Sequence, residues 1–81
     1  MARKPHPADI HDAKQIARAV GFVVYLRKNP RDVYREDAAT IPAARIAEAA
    51  MNAAHGANGR RAIVYAITPE GAQYFVPDTM Q

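Results

Sequence analysis

The stretch Arg61-Ala62-Ile63-Val64-Tyr65-Ala66-Ile67 decides the fold of this chain. It is rich in the β-branched and aromatic residues that favour strands. Successive side chains of a strand point to opposite faces, and both faces of this one are apolar. One face consists of Ile63, Tyr65 and Ile67, and the other consists of Ala62, Val64 and Ala66. Because a strand that is apolar on both sides is typical of a sheet interior, we predict that this strand is central.

The segment before this strand predicts the clearer of two helices. Residues 43–54 are almost all helix formers, and Pro42 suits the first helical position because its missing N–H would have no partner there. His55-Gly56 and Asn58-Gly59 end the helix and turn the chain. We assign to the core face Ile46, Ala49, Ala50 and Ala53, and to the outer face Arg45, Glu48 and Asn52.

The segment after the central strand predicts a turn and a returning strand. Thr68-Pro69-Glu70-Gly71 contains the proline and the glycine that supply the special backbone angles of a turn. Residues 72–76 then form the returning strand, which Pro77 stops.

The beginning of the chain predicts another helix. Asp9 is a good N-cap and Gly21 is a usual helix stop, so we expect a helix over residues 9–20. Its apolar stripe comprises Ile10, Ala13, Ile16, Ala17 and Val20.

A hairpin follows this helix. Residues 22–26 are β-branched and aromatic and predict a strand. Asn29-Pro30-Arg31-Asp32 has the residue types of a turn. Val33-Tyr34-Arg35 then predicts a weaker returning strand, with a short helix over residues 31–39 as the alternative.

Together these elements predict an α+β fold: a small single domain in the order α-β-β-α-β-β, with two helices packed on a mostly antiparallel sheet. We assign residues 1–8 to a flexible basic N-terminal tail, 9–77 to the domain and 78–81 to a disordered C-terminal tail. Alanine supplies 18 of the apolar residues and leucine only one, so the core is small. Such a core contributes only about 3–5 kcal/mol, which leaves a homodimer open.

One motif suggests a different fold. Arg60-Arg61 precedes a strand that ends in Tyr65-Ala66-Ile67-Thr68-Pro69-Glu70-Gly71. This resembles the end of a winged helix-turn-helix domain, in which a Tyr-x-Leu-Thr-x-x-Gly stretch closes the wing. The resemblance covers about half of the chain and implies that residues 43–55 are the recognition helix. Only one strand fits where the family has two, and residues 31–39 are marginal for the preceding helix, so the alternative is a degenerate winged helix-turn-helix.

The composition argues against an enzyme. The chain has no cysteine and no serine, and its threonines, Thr40, Thr68 and Thr79, lie in cap, turn or tail positions. No glycine-rich phosphate loop is present. The polar cluster of His6, Asp9, His11 and Asp12 fits an N-cap with solvated neighbours better than a metal site. We therefore expect no catalytic residues, no cofactor and no metal.

The location follows from similar considerations. No apolar run approaches the roughly 20 residues that a membrane span requires. A chain without cysteine fits a reducing compartment. We expect a cytoplasmic protein that does not contact a membrane, and its richness in alanine and arginine suggests a bacterial or phage source.

The charge of the chain points to a binding site. The net charge is +3, and residues 1–37 hold eight Lys/Arg against five Asp/Glu, whereas the remainder is balanced. Arginine can grip phosphates bidentately, and tyrosine can stack on unpaired bases. The nucleic-acid-binding residues we predict are Arg27, Lys28, Arg31, Tyr34, Arg35, Arg60 and Arg61, with Tyr25 interleaved.

The first functional hypothesis is therefore a small non-enzymatic module that binds nucleic acid phosphates through this basic hairpin. The alternative partner is a protein, bound by an inhibitor or accessory factor of phage or plasmid type. This factor would use a sheet edge or the Tyr74-Phe75 surface, and it could be a homodimer. A third interpretation gives the hairpin charges no partner: they would be solvated, and would protect an edge strand from aggregation.

Overall fold

A computed structural model of the chain describes residues 7–56 and 59–78. The predicted α+β order is confirmed. The elements are α1 (Pro7–Ala17), β1 (Gly21–Arg27), β2 (Val33–Ala38), α2 (Ile41–His55), β3 (Ile63–Ile67) and β4 (Gln73–Phe75).

The four strands form one antiparallel sheet in the order β2-β1-β3-β4. The prediction that β3 is central is confirmed, because it pairs with β1 on one side and β4 on the other. At the middle of the sheet Val24 of β1 lies opposite Val64 of β3, and both side chains are buried. This pairing joins the hairpin of the first half of the chain to that of the second.

The hydrophobic core lies on one face of the sheet, between the strands and both helices. Helix α1 contributes Ile16, whereas α2 contributes Ala44, Ala47 and Met51. The strands and their flanks contribute Phe22, Val24, Leu26, Ala62, Val64, Ala66 and Val76. Most of these side chains are small, so the helix backbones can approach the sheet closely.

Two turns direct the chain back into the sheet as predicted. The Asn29 Oδ1 accepts hydrogen bonds from the backbone N–H groups of Arg31 and Asp32, both at 2.9 Å. At the second turn Gly71 has a φ of 86°, a left-handed conformation that favours glycine. The buried Thr68 accepts there through Oγ1 from the Ala72 N–H at 3.2 Å, so its hydroxyl has a structural partner.

The predicted core face of α2 is wrong. Ile46 is 72% exposed, and its alanine neighbours on the same stripe are exposed as well. The buried residues of the helix are Ala44, Ala47 and Met51. The polar residues Arg45, Glu48 and Asn52, which we expected outside, are half-buried. Alanine occurs on every side of this helix, so composition alone did not separate the two faces.

Polar contacts with the second hairpin explain the observed orientation of α2. The Arg45 guanidinium donates to the Pro77 carbonyl and pairs with Glu48 at 3.2 Å. The Asn52 side chain accepts from the Ala62 N–H at 2.7 Å. Both contacts hold the half-buried polar side of the helix against the chain that flanks β3 and β4. Ile46 is therefore left on the outside.

The first helix also differs from the prediction. Helix α1 begins at Pro7 and ends at Ala17, so Asp9 lies in its first turn and is not the N-cap. Gly21 does not stop the helix, because it is the first residue of β1. Val20 is 68% exposed, and its N–H donates to the Ile67 carbonyl at 2.8 Å, which places it beside the sheet.

The winged helix-turn-helix alternative is wrong, as is the short helix proposed over residues 31–39. Residues 33–38 form strand β2, which pairs with β1 along its whole length. No helix therefore directly precedes α2 where a helix-turn-helix would need one. Helix α2 instead packs on the sheet through its buried face.

The orientation of α2 predicts that truncation of a side chain on its buried face destabilises the protein much more than truncation of one on its outer face. Met51→Ala should lower the free energy of unfolding by about 2–5 kcal/mol, because it opens a cavity in the core. Ile46→Ala should change it by no more than about 0.5 kcal/mol, because that side chain is exposed. Urea denaturation followed by circular dichroism measures both. Destabilisation by Ile46→Ala that equals that by Met51→Ala would contradict the orientation.

Candidate functional site

The sheet face opposite the core carries no described helix, and we call it the open face. Strand alternation and register define its members. They are Val23, Tyr25 and Arg27 of β1, Val33, Arg35 and Asp37 of β2, Ile63, Tyr65 and Ile67 of β3, and Gln73 and Phe75 of β4. Val23 is fully buried within this face, whereas Phe75 is 54%, Val33 47% and Ile63 41% exposed, so its apolar surface meets solvent at these three residues.

Aromatic rings cross the open face from β1 to β4. Tyr25 and Tyr65 meet edge to face, with ring centroids 5.9 Å apart and an interplanar angle of 66°. Phe75 lies directly opposite Tyr65 on the neighbouring strand. Residues paired in this way have Cβ atoms only about 4.5–5.5 Å apart. The three side chains therefore form a band of rings across three strands.

Three arginines converge at one end of this band. Tyr25 lies opposite Ile63, so Arg27 and Arg61, each two residues beyond that pair, lie toward the same end of the sheet. With Arg60 they line a cleft of about 720 Å³. The other residues that line the cleft are Tyr25, Val33, Gly59, Ile63, Tyr65 and Gln73.

Arg61 lies where this cleft meets two smaller depressions. These have volumes of about 390 and 230 Å³, and Arg61 lines both of them. The larger one also reaches Phe75, and α2 residues and the carboxylates of Glu48 and Asp78 line its other side. Arg61 is therefore the arginine of the cleft that lies nearest to this second depression.

Some of the described arginines form ion pairs with carboxylates, and others do not. Arg18 pairs with Glu70 at 2.9 Å, and Arg35 pairs with Asp37 at 3.1 Å. Within the described ranges no carboxylate pairs with Arg27, Arg60 or Arg61. The cleft therefore concentrates uncompensated positive charge.

The last turn of α2 positions the two adjacent arginines. Asn52 accepts from Ala62, the residue that follows Arg61, and its own carbonyl accepts from the Gly56 N–H at 2.8 Å. A Cβ at Gly56 would lie 2.5 Å from that carbonyl oxygen, so only glycine fits there. These contacts fix the chain on both sides of the loop that leads to Arg60 and Arg61.

The structure brings only some of the predicted site residues together. It brings Arg27, Arg60 and Arg61 together, and it places Lys28 and Arg31 as exposed residues at the adjoining hairpin tip. Arg35 lies farther along β2, with its guanidinium 5.8 Å from the centroid of the Tyr25 ring.

Tyr34 is not on the open face. Its ring stacks on that of His55 in α2, with centroids 3.7 Å apart and an interplanar angle of 6°. It also packs against the core. Strand alternation explains this position, since Tyr34 lies between Val33 and Arg35, which point to the other side.

The sequence alone does not assign Tyr65 and Ile63 to a binding surface, and it places Phe75 only on the Tyr74-Phe75 surface of the protein-binding alternative. The structure puts Phe75 on the open face with Tyr65 and Ile63, and puts Tyr74 on the core side. The signal was present in the chain, because Arg61, Ile63 and Tyr65 are two residues apart and must share a face if the strand continues.

The described residues offer no alternative centre of metal chemistry. They contain no group of three or more His, Cys, Asp or Glu that could hold a metal ion. His11 instead contacts Tyr74 edge to face at 6.1 Å, whereas His6 lies outside the described residues. Neither of the two described helices is long and apolar enough to cross a membrane.

Comparison with known proteins gives no family assignment. No protein family matches the chain, and no curated protein or solved structure matches it significantly. What the open face binds must therefore be inferred from its own residues and geometry.

The contact between Asn52 and Ala62 predicts a local effect on the site. Asn52→Ala removes the acceptor of a buried N–H and should cost about 1–3 kcal/mol. Hydrogen exchange at the Ala62 amide should become faster. Asn52→Asp keeps an acceptor oxygen and serves as the matched control. Unchanged exchange at Ala62 in Asn52→Ala would show that this contact does not hold the segment.

Proposed function

We propose that this chain is a non-enzymatic module that binds nucleic acid, with phosphates held by Arg27, Arg60 and Arg61. The observation that supports this most is that these three arginines line one cleft and have no carboxylate partners among the described residues. Guanidinium groups bind phosphate oxygens bidentately and stay charged at every physiological pH.

The extent of the charge favours a polymer over a small anion. Lys28 and Arg31 continue the positive surface from Arg27 around the hairpin tip, and both are exposed. The cleft itself is open and leads to apolar surface instead of closing around one phosphate. A chain of phosphates could therefore meet several of these cations in succession.

The lining of the cleft also favours binding over catalysis. Its residues are arginine, tyrosine, valine, isoleucine, glycine and glutamine. General acid–base catalysis usually uses histidine or a carboxylate, and covalent catalysis needs an activated nucleophile. We place this activity in the cytoplasm, because nucleic acid is present there and a chain without cysteine fits a reducing compartment.

A protein-binding function is the second candidate, and the outer side of α2 favours it. Ile46 is 72% exposed and lies among exposed alanines on that helix. An inhibitor or accessory factor, or a homodimer, could bury this stripe. Sedimentation velocity over a range of concentrations tests the homodimer directly, and an Ile46→Glu variant that abolishes any association would assign it to α2.

Neutralising one cleft arginine should weaken binding and change its salt dependence. Arg61→Gln should reduce affinity for a mixed-sequence oligonucleotide and lower the slope of log affinity against log salt by about one. Fluorescence anisotropy between about 50 and 200 mM salt measures both quantities. Lys14→Gln on α1 removes the same charge away from the cleft and should have a much smaller effect. Equal losses in the two variants would mean that the cleft is not the binding site.

A further inference from the structure

We infer, on the basis of the nucleic-acid function proposed above, that the ligand is single-stranded, with bases that stack on Tyr65 and Phe75. The backbone of that strand lies along the arginine cleft. The decisive juxtaposition is that of the exposed Phe75 ring and the half-buried Tyr65 ring with arginines that have no described carboxylate partner, at one face of the sheet.

The apolar surface of the open face matches unpaired bases. Phe75 and Ile63 present roughly half of their surface to solvent, at 54% and 41%, and Tyr65 lies half-buried beside them. Phosphates gain no binding energy from contact with an apolar surface, whereas each base that stacks on an aromatic ring contributes binding energy. Exposed apolar side chains beside unpaired cations are thus better explained by bases than by a duplex backbone.

The shape of the open face excludes the usual access to duplex bases. The major groove is about 12 Å wide and admits a helix or a two-stranded ribbon. This sheet has four strands, which spread over about 15 Å at the usual spacing. The rings at the centre of this sheet therefore cannot reach the base edges inside a duplex groove.

Helix α2 does not present side chains that could contact bases in the duplex groove instead. Its arginine, Arg45, is occupied by Glu48 and the Pro77 carbonyl, and His55 is stacked on Tyr34. Its outer stripe consists of Ile46 and alanines, which offer duplex phosphates no charge. Among the residues that the structure describes, unpaired arginines and exposed aromatic surface coincide only at the open face.

The charge distribution orients the strand on this face. Asp37 shares the face but lies opposite Val23, two residues along β1 from Tyr25 and away from Arg27. Its carboxylate is matched by Arg35 and would repel phosphates. The backbone should therefore keep to the Arg27–Arg61 end, with its bases directed toward Tyr65 and Phe75.

The test uses the full chain and a tryptophan introduced into a sequence that has none. In Phe75→Trp, single-stranded oligothymidine at low salt should quench the tryptophan emission, because a base stacks on the ring. A duplex of equal length should leave the emission nearly unchanged. Phe75 is exposed, so this variant keeps the core intact.

A second variant measures the energetic contribution of the ring. Phe75→Leu should lower affinity for oligothymidine about tenfold and leave duplex affinity unchanged. Tyr34→Leu is the matched control, because it removes a ring from the opposite face and should preserve the preference for single strands. Circular dichroism confirms the fold of each variant before binding is compared.

The outcomes separate this inference from the function on which it rests. Equal binding of single strand and duplex that depends on Arg61, with no effect of Phe75→Leu, would overturn the inference and leave the proposed function standing. If neither nucleic acid binds at low salt, the proposed function fails as well. Quenching by oligothymidine together with the tenfold loss would support both.

Discussion

The antiparallel pairing of β1 with β3 is the interaction on which the rest of the structure depends. It sets Val24 against Val64 and so buries the centre of the core, where both side chains are almost fully hidden. The same register brings Tyr25 next to Ile63 on the opposite face and carries Arg27 toward Arg61. One set of backbone hydrogen bonds therefore positions both the core and the candidate site. A register shift of one residue would exchange the two faces and destroy both.

Much of the fold could be predicted because the strands and turns carry strong local signals. β3 is β-branched and apolar on both sides, and its central position followed from that pattern. The turns followed from residue chemistry, with Asn29 and Gly71 in the conformations expected of them. The face of α2 could not be predicted. Alanine surrounds that helix, and its orientation depends on contacts of Arg45 and Asn52 with distant backbone groups.

The candidate site was only partly visible in the sequence, for a related reason. The arginines stood out by charge, but their convergence depends on the pairing of strands that lie far apart in the chain. Tyr34 was assigned to the site because it is close to them in sequence, and alternation sends it to the core side instead. Tyr25, Tyr65 and Phe75 could not be joined into one band from the sequence, because they lie on three different strands. The role proposed for them depends on the side of the sheet that these strands share.

The open face, and not the helical side, is the surface that we propose meets the ligand. Backbone amide spectra of the nitrogen-15-labelled protein, recorded while single-stranded oligothymidine is added at low salt, test this directly. The largest shifts should occur at Arg27, Arg61, Tyr65 and Phe75, with little change along the outer side of α2. Shifts confined to Ile46 and its neighbours on that helix would contradict it.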